Sequence, residues 1–168
     1  MKKTTVLLSA ATMALCASSV AFGLSDLNFG PQMGSSTIQN SSDAVGHVIN
    51  AYGFAGNANL TDKFSVDLNY VNVGTYISGI ADVYYVRHLT NKLISRFGLG
   101  AGIYHQNSVA SDNASSESKF AYQGAIETEY RINESIGFNT SYHYLLYKDI
   151  PSKTHVDQFM IGVNYYLN

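Results

Sequence analysis

Residues 120–132, "FAYQGAIETEYRI", and residues 136–146, "IGFNTSYHYLL", alternate apolar side chains with small or polar ones. An alternation of period two places successive side chains on opposite faces of a β-strand, whereas a helix repeats about every 3.6 residues. The segment between them, "NES" at 133–135, is short and polar, which is typical of a tight turn. This part of the chain therefore predicts a hairpin of two long strands.

The same alternation recurs along the chain and predicts eight antiparallel strands. Most are longer than the usual five or six residues of strands in soluble proteins. The alternation is weakest in the first strand, which Pro31 interrupts. The sequence leaves open whether this segment is a strand. The fourth is apolar on both faces, so its phase is uncertain. The predicted strands are 26–37, 45–60, 63–74, 76–89, 93–108, 118–132, 135–148 and 154–167.

The connections between these strands alternate in character. Three are short, polar and alike: "LTDKF" at 60–64, "LTNKL" at 89–93 and "INESI" at 132–136. The others include a tight "GTY" at 74–76 and longer segments rich in Ser, Asn and Asp, at 38–44, 110–118 and 149–153. Short turns at one end and longer loops at the other are typical of an up-and-down transmembrane barrel.

The first 23 residues have the features of a cleaved signal peptide. Lys2 and Lys3 precede an apolar stretch that ends in small residues, with cleavage expected after Gly23 or Ala21. Lipid attachment at Cys16 is disfavoured, because Leu15 stands where a lipoprotein signal needs a small residue. We therefore expect residues 1–23 to be the signal peptide and residues 24–168 to form one barrel domain without disulfides.

Composition excludes several function classes. Removing Lys2 and Lys3 leaves eight basic and twelve acidic residues, a net charge near −4. Without a basic run or patch, nucleic acid is not an expected partner. The five histidines are scattered without metal-ligand spacing, and no glycine-rich loop precedes a helix. We expect no cofactor and no metal.

Alternation does not say which face points inward, and a soluble lipocalin-like barrel that binds an apolar ligand is the main alternative. Three features favour an apolar face turned to lipid. Every lysine after the signal lies at a predicted strand end or in a loop: Lys63, Lys92, Lys119, Lys148 and Lys153. The polar face is rich in small residues, which suit the crowded interior of a small barrel. Tyrosines concentrate in the apolar register.

Some aromatic and apolar residues are expected to have specific tasks at the membrane. Tyrosine rings anchor at the lipid headgroup level with their hydroxyls in water. The candidate interface tyrosines are Tyr52, Tyr70, Tyr130, Tyr142, Tyr144 and Tyr165. The last strand alternates like the C-terminal strand that barrel insertion machinery reads, although it ends in Asn168 rather than an aromatic residue. The residues of this candidate insertion signal are Phe159, Ile161, Val163, Tyr165 and Leu167.

Signal peptide, strand count, turn pattern and terminal strand together resemble the OmpA/OmpX-like family of eight-stranded outer-membrane β-barrels. The resemblance covers residues 24–168. It implies a monomer in the outer membrane of a Gram-negative bacterium, with outer-membrane lipids and the insertion machinery as partners. It implies a small structural or surface protein with at most weak, porin-like conductance.

Charged residues on the polar face would lie inside such a barrel, where they must pair. The candidate interior network is Asp67, Asp82, Arg96, Glu127, Glu129 and Arg131, with His88 as a further member. We expect Arg96 to reach either Glu127 or Glu129. A structural plug of ion pairs is the favoured interpretation, and a narrow gated ion path is the alternative.

An enzyme is not predicted. Some eight-stranded barrels deacylate lipid A with a serine and a histidine, so two serine–histidine pairs of this chain are candidates. His105 and Ser108 are expected on opposite faces. Ser141 and His143 share the interior face, out of reach of lipid. A lipid-modifying enzyme remains an alternative to a structural role.

Overall fold

The computed structural model describes residues 25–39, 47–74, 76–106, 117–147 and 155–167. They form eight strands, and each pairs with its sequence neighbours in antiparallel register until β8 pairs with β1 and closes the barrel. The strands are β1 (Ser25–Gln39), β2 (His47–Thr61), β3 (Phe64–Val73), β4 (Tyr76–His88), β5 (Leu93–Gln106), β6 (Glu117–Arg131), β7 (Ile136–Tyr147) and β8 (His155–Tyr166). The predicted eight-stranded up-and-down barrel is confirmed.

The uncertain first strand is a full member of the sheet. β1 runs from Ser25 to Gln39 and pairs with both β2 and β8. Pro31 lies opposite Phe54 in the ladder with β2, whereas the described pairs with β8 pass from Phe29 to Gln32. A proline has no N–H to donate, so it is tolerated where one ladder is interrupted.

The two ends of the barrel differ. One end, here called the turn end, carries the connections after β2, β4 and β6 together with the described termini, where the Leu167 amide donates to the Leu27 carbonyl at 2.8 Å. The opposite end is the loop end. Its predicted loops at 38–44, 110–118 and 149–153 lie largely outside the described residues, as does the predicted signal peptide.

All three turns use the same local device. In each, the first polar side chain accepts hydrogen bonds from the backbone amides two and three residues later. Thr61 accepts from Lys63 and Phe64 at 3.2 and 3.1 Å. Thr90 does the same at 3.2 and 2.9 Å, and Asn133 at 2.9 and 2.8 Å. The recurrence of the turn sequence thus has a structural cause, because each turn needs an acceptor at that position.

The outer wall is apolar, and its residues are exposed along the full length of the strands. β4, whose phase was uncertain, presents Val83 and Tyr85 outward and buries Asp82 and Tyr84. A protein in water seldom exposes a continuous apolar surface of this kind. Other outward residues are Met33, Leu68, Leu99, Ile103, Ile126, Phe138 and Phe159. No helix in the described part of the chain is long and apolar enough to span a membrane.

The interior is layered, which the sequence did not predict. Its loop-end half holds two apolar clusters. One contains Ile80, Tyr104, Ala121, Leu145 and Val156, and the other contains Ala51, Val71, Val73 and Met160. The charged side chains lie nearer the turn end. The polar face is therefore not polar throughout, since residues such as Leu145 and Met160 fill the narrow interior with side chains.

Candidate functional site in the barrel interior

Arg96 is the centre of the charged interior. It points inward from β5 and is directly opposite Glu127 of β6 in the strand ladder. Its Nη1 lies 2.5 Å from Glu127 Oε1 and 2.9 Å from Glu129 Oε2. All three side chains are buried. One guanidinium therefore joins two carboxylates that are two residues apart on one face of β6.

Amide side chains extend this cluster around the barrel. Asn164 of β8 donates to Glu129 Oε2 at 2.9 Å, and Asn139 of β7 donates to Asn164 Oδ1 at 2.6 Å. Together with Arg96 on β5, these contacts connect four strands, β5 to β8, to the Glu129 carboxylate. The network is partly satisfied, since Arg96 Nε and Glu129 Oε1 are buried without a hydrogen-bond partner among the described residues.

Arg131 lies at the turn-end rim of the same cluster. Its Nε is 3.6 Å from Glu129 Oε1, and its Nη2 is 3.4 Å from Asp26 Oδ2. The guanidinium carbon lies 4.3 Å from the centre of the Tyr166 ring, which is buried. Asn59 donates to the same Asp26 oxygen at 3.0 Å. Arg131 thus covers the turn-end mouth and is partly exposed, whereas Arg96 is fully enclosed.

The two aspartates form a separate group on β3 and β4. Asp67 and Asp82 face each other directly across the ladder. Gln123, two strands away on β6, donates to both oxygens of Asp82 at 3.0 Å. A Cβ on Gly100 would overlap the Asp82 carboxylate, so a glycine is needed there for the bond to form. Asp67 Oδ1 is buried without a hydrogen-bond partner among the described residues.

The arrangement holds more acid than base. Among the described residues, four buried carboxylates, on Asp67, Asp82, Glu127 and Glu129, share the interior with one buried guanidinium, that of Arg96. The described ranges contain no group of three or more His, Cys, Asp or Glu side chains able to hold a metal ion. The geometry links strands by hydrogen bonds and ion pairs.

The structure brings the six predicted network residues to the inner face, but not into one cluster. Arg96, Glu127, Glu129 and Arg131 are in contact, and Arg96 reaches both glutamates rather than one. The Asp67–Asp82 group is tied instead to Gln123. His88, expected as a further member, is exposed where β4 ends at the turn. The sequence analysis missed Asn139, Asn164 and Gln123, although the alternation placed all three on the inner face.

The serine–histidine pairs differ from expectation. His105 Nδ1 lies 2.9 Å from Ser118 Oγ, its direct partner across the ladder, on the outer wall near the loop end. Ser108, the partner weighed from the sequence, lies outside the described residues. Ser141 Oγ and His143 Nε2 are 2.8 Å apart, but both side chains are buried inside the barrel.

All six candidate interface tyrosines are on the outer wall. Tyr130 and Tyr165 lie next to the turn end, and Tyr52, Tyr70, Tyr142 and Tyr144 lie in the loop-end halves of their strands. Tyr85 and Tyr122 are also exposed on the outer wall and were not predicted as interface residues. Tyr85 was missed because β4 is apolar on both faces. It makes an edge contact with Phe64, with ring centroids 5.9 Å apart.

The candidate insertion signal lies on the outward face of the closing strand. Phe159, Ile161, Tyr165 and Leu167 are all exposed, and Val163 is half-buried. β8 pairs with β7 on one side and with β1 on the other. This strand therefore completes the barrel while presenting its apolar face outward.

Comparison with known proteins shows similarity in fold but no match in sequence. No protein-family model and no curated protein sequence matches the chain. Among solved structures, Neisserial surface protein A superposes with a TM-score of 0.72 at 10% identity, covering 86% of this chain and 99% of that one. OprG of Pseudomonas aeruginosa gives 0.58 at 17% identity, covering 84% and 96%.

A third structure gives the same picture. Ail, the attachment invasion locus protein of Yersinia pestis, superposes with a TM-score of 0.57 at 14% identity, covering 84% of this chain and 99% of that one. Each comparison spans nearly the whole of a complete eight-stranded barrel. The chain has the fold of the small eight-stranded outer-membrane β-barrels, the class to which OmpA/OmpX-like proteins belong.

Proposed function

We propose that this protein is a monomeric barrel of the Gram-negative outer membrane with a structural or surface role and a closed interior. The observation that carries the proposal is the inversion of ordinary burial: apolar side chains cover the outside, while charged and amide side chains are enclosed. A soluble lipocalin-like barrel would place these faces the other way round. By analogy with such barrels, the turn end faces the periplasm and the loop end faces outward.

Two layers close the interior in this proposal. Toward the periplasm, the Arg96 cluster and the Arg131 rim join strands by ion pairs. Toward the outside, the apolar clusters around Leu145 and Met160 fill most of the interior, with Ser36, Ser78 and Gln158 as the polar side chains between them. An apolar constriction excludes ions by staying dry, even where a charged layer would attract them. The combination supports a plug rather than a gated path.

Cell fractionation combined with heat-modifiability tests the location. The protein is expected in the outer-membrane fraction, with an electrophoretic mobility that shifts when the sample is boiled. Recovery from the soluble periplasm, without a mobility shift, would contradict the membrane proposal.

Planar-bilayer recording tests the plug. The wild-type protein is expected to give no steady channel. Because the apolar layer is proposed to exclude ions, replacing Leu145 and Tyr104 with serine is expected to produce measurable conductance. Neutralising the charges with Glu127→Gln and Glu129→Gln is expected to leave conductance low. Large, steady wild-type channels would show that the interior is open.

A lipid-modifying enzyme has one supporting observation, the exposed His105–Ser118 contact. A serine hydrolase also needs a group that orients the histidine and donors for an oxyanion. The hydrogen bonds found among the described residues supply neither to this pair. We therefore propose that the protein is not an enzyme. Release of acyl chains from lipid A by the purified protein, lost in Ser118→Ala, would reverse that conclusion.

A further inference from the structure

The outer wall contains a notch with one glycine as its floor. Gly124 points outward from β6, and a Cβ there would have no neighbour within 4 Å. Leu99 and Tyr144 are its direct partners on the adjacent strands. Leu99 is 77% exposed, the largest value among the exposed large apolar side chains of the described wall, because nothing on Gly124 packs against it. Phe97, Ile126 and Tyr142 line the remaining sides.

One side of this notch is held in place by a polar contact. The Tyr142 hydroxyl donates a hydrogen bond to Asp157 Oδ1 on β8. The other oxygen, Oδ2, accepts from Gln39 at 3.2 Å and lies 3.6 Å from His155 Nε2. A carboxylate on a lipid-facing wall is costly unless it is hydrogen-bonded. The Asp157 carboxylate has three polar neighbours here. Its hydrogen bond with Tyr142 restricts the position of that ring beside the notch.

We propose that this notch binds one acyl chain of a membrane lipid, and that the Tyr142–Asp157 hydrogen bond keeps the notch shaped for it. The inference rests on the membrane location proposed above. Its setting supports a lipid, because the surrounding wall is apolar and the notch runs across only β5, β6 and β7. A second copy of the chain is a poor occupant, since a stable protein interface needs about 20–30 residues on each side.

A matched pair of glycine variants tests the proposal. The protein is reconstituted in nanodiscs of phosphatidylethanolamine and phosphatidylglycerol that contain a lipid with a photoactivatable acyl chain. Labelling is then mapped by mass spectrometry. Gly124→Leu fills the notch, whereas Gly79→Leu adds the same bulk at another outward glycine with no neighbour within 4 Å of a Cβ, between Tyr70 and Ile103.

Wild-type labelling is expected to concentrate on the residues of the notch. Gly124→Leu is expected to abolish this concentration, and Gly79→Leu to preserve it. Tyr142→Phe removes only the hydroxyl and is expected to weaken labelling about threefold, the size of an average side-chain hydrogen bond within a membrane protein. Uniform labelling of the outer wall, or equal losses in both glycine variants, would overturn the proposal.

Two controls separate this inference from the proposed function. Each variant must show the heat-dependent mobility shift of a folded barrel before it is labelled. A protein that does not enter nanodiscs contradicts the membrane location itself. A protein that enters them as a cross-linkable dimer through the notch shows that a second copy is the occupant, and the acyl-chain proposal is then wrong.

Discussion

At the scale of single residues, the interior depends on Arg96. This guanidinium is 1% exposed and contacts two carboxylates that are themselves buried. The alternation in β5 and β6 predicted that all three side chains share a face. It did not predict that Arg96 bonds both glutamates at once, because that depends on how far the two strands are shifted relative to each other.

Removing Arg96 is expected to be strongly destabilising. Arg96→Ala leaves Glu127 and Glu129 buried without their cation, and breaking a buried ion pair in this way costs about 3–5 kcal/mol. Urea unfolding in lipid vesicles measures the change. Arg87→Ala removes an exposed arginine of β4 and is expected to have little effect.

A companion variant separates lost packing from unpaired charge. Arg96→Met combined with Glu127→Gln and Glu129→Gln leaves no fully buried charge in the cluster, while Arg131 keeps its ion pair with Asp26, so most of the lost stability is expected to return. If Arg96→Ala and Arg87→Ala unfold at the same urea concentration, the cluster does not stabilise the barrel.

At the scale of strands and turns, the turns depend on local side-chain acceptors, whereas the seam between β1 and β8 depends on close contact between backbones. Each turn has a side-chain acceptor that its sequence specifies, so the three similar pentapeptides predicted three similar reversals. The seam between β1 and β8 is different. A Cβ on Gly34 would overlap the Phe159 carbonyl group, and a Cβ on Gly30 would overlap that of Val163. Those glycines are required by a strand more than 120 residues away in the chain.

The turn acceptors are expected to contribute modestly. Thr90→Ala removes the oxygen that accepts from the amides of Lys92 and Leu93. We expect a loss of about 0.5–1.5 kcal/mol in the free energy of unfolding. Thr90→Ser keeps the hydroxyl and should stay close to wild type. Equal losses in the two variants would mean that the methyl group matters rather than the acceptor.

The seam glycine is expected to be sensitive even to the smallest side chain. Gly34→Ala places a methyl group against the backbone of β8, and overpacking of this kind typically costs about 1–3 kcal/mol. Gly79→Ala is the control, since its outward position has open space around it. The fraction of each protein that shows the folded mobility after refolding measures barrel closure. Efficient folding of Gly34→Ala would show that the seam relaxes at little cost.

At the scale of the whole molecule, the apolar wall defines how the barrel sits in a bilayer. Lys63 and Lys92 lie in the turns, where their charges reach water, whereas Lys119 shares the inward register of its ladder partner Tyr104 near the loop end of β6. None of these three lysines is on the middle of the lipid-facing wall, where a lysine costs most. The sequence showed it before any fold was known, because lysine positions relative to strand ends can be read directly.

Placing a lysine at two depths tests this orientation. Leu99→Lys, in the middle of β5, is expected to lower the free energy of unfolding in vesicles by about 2–4 kcal/mol. Leu60→Lys, beside the first turn, is expected to cost about 0–1 kcal/mol. Both replaced side chains are exposed leucines on the outer wall. Equal costs at the two sites would contradict a barrel that spans the bilayer along its strands.

The sequence by itself determined the number of strands, the direction of most faces and the chemistry of the turns. These properties are local: a period of two, a polar break and an acceptor at a turn each involve neighbouring residues. The tertiary structure decided the phase of β4, the layering of the interior and the contacts between strands that are not neighbours, such as Gln123 with Asp82 and Asn164 with Glu129. Closure of the sheet sets which inward residues meet, and that depends on the relative shifts of all eight strands, which no single segment contains.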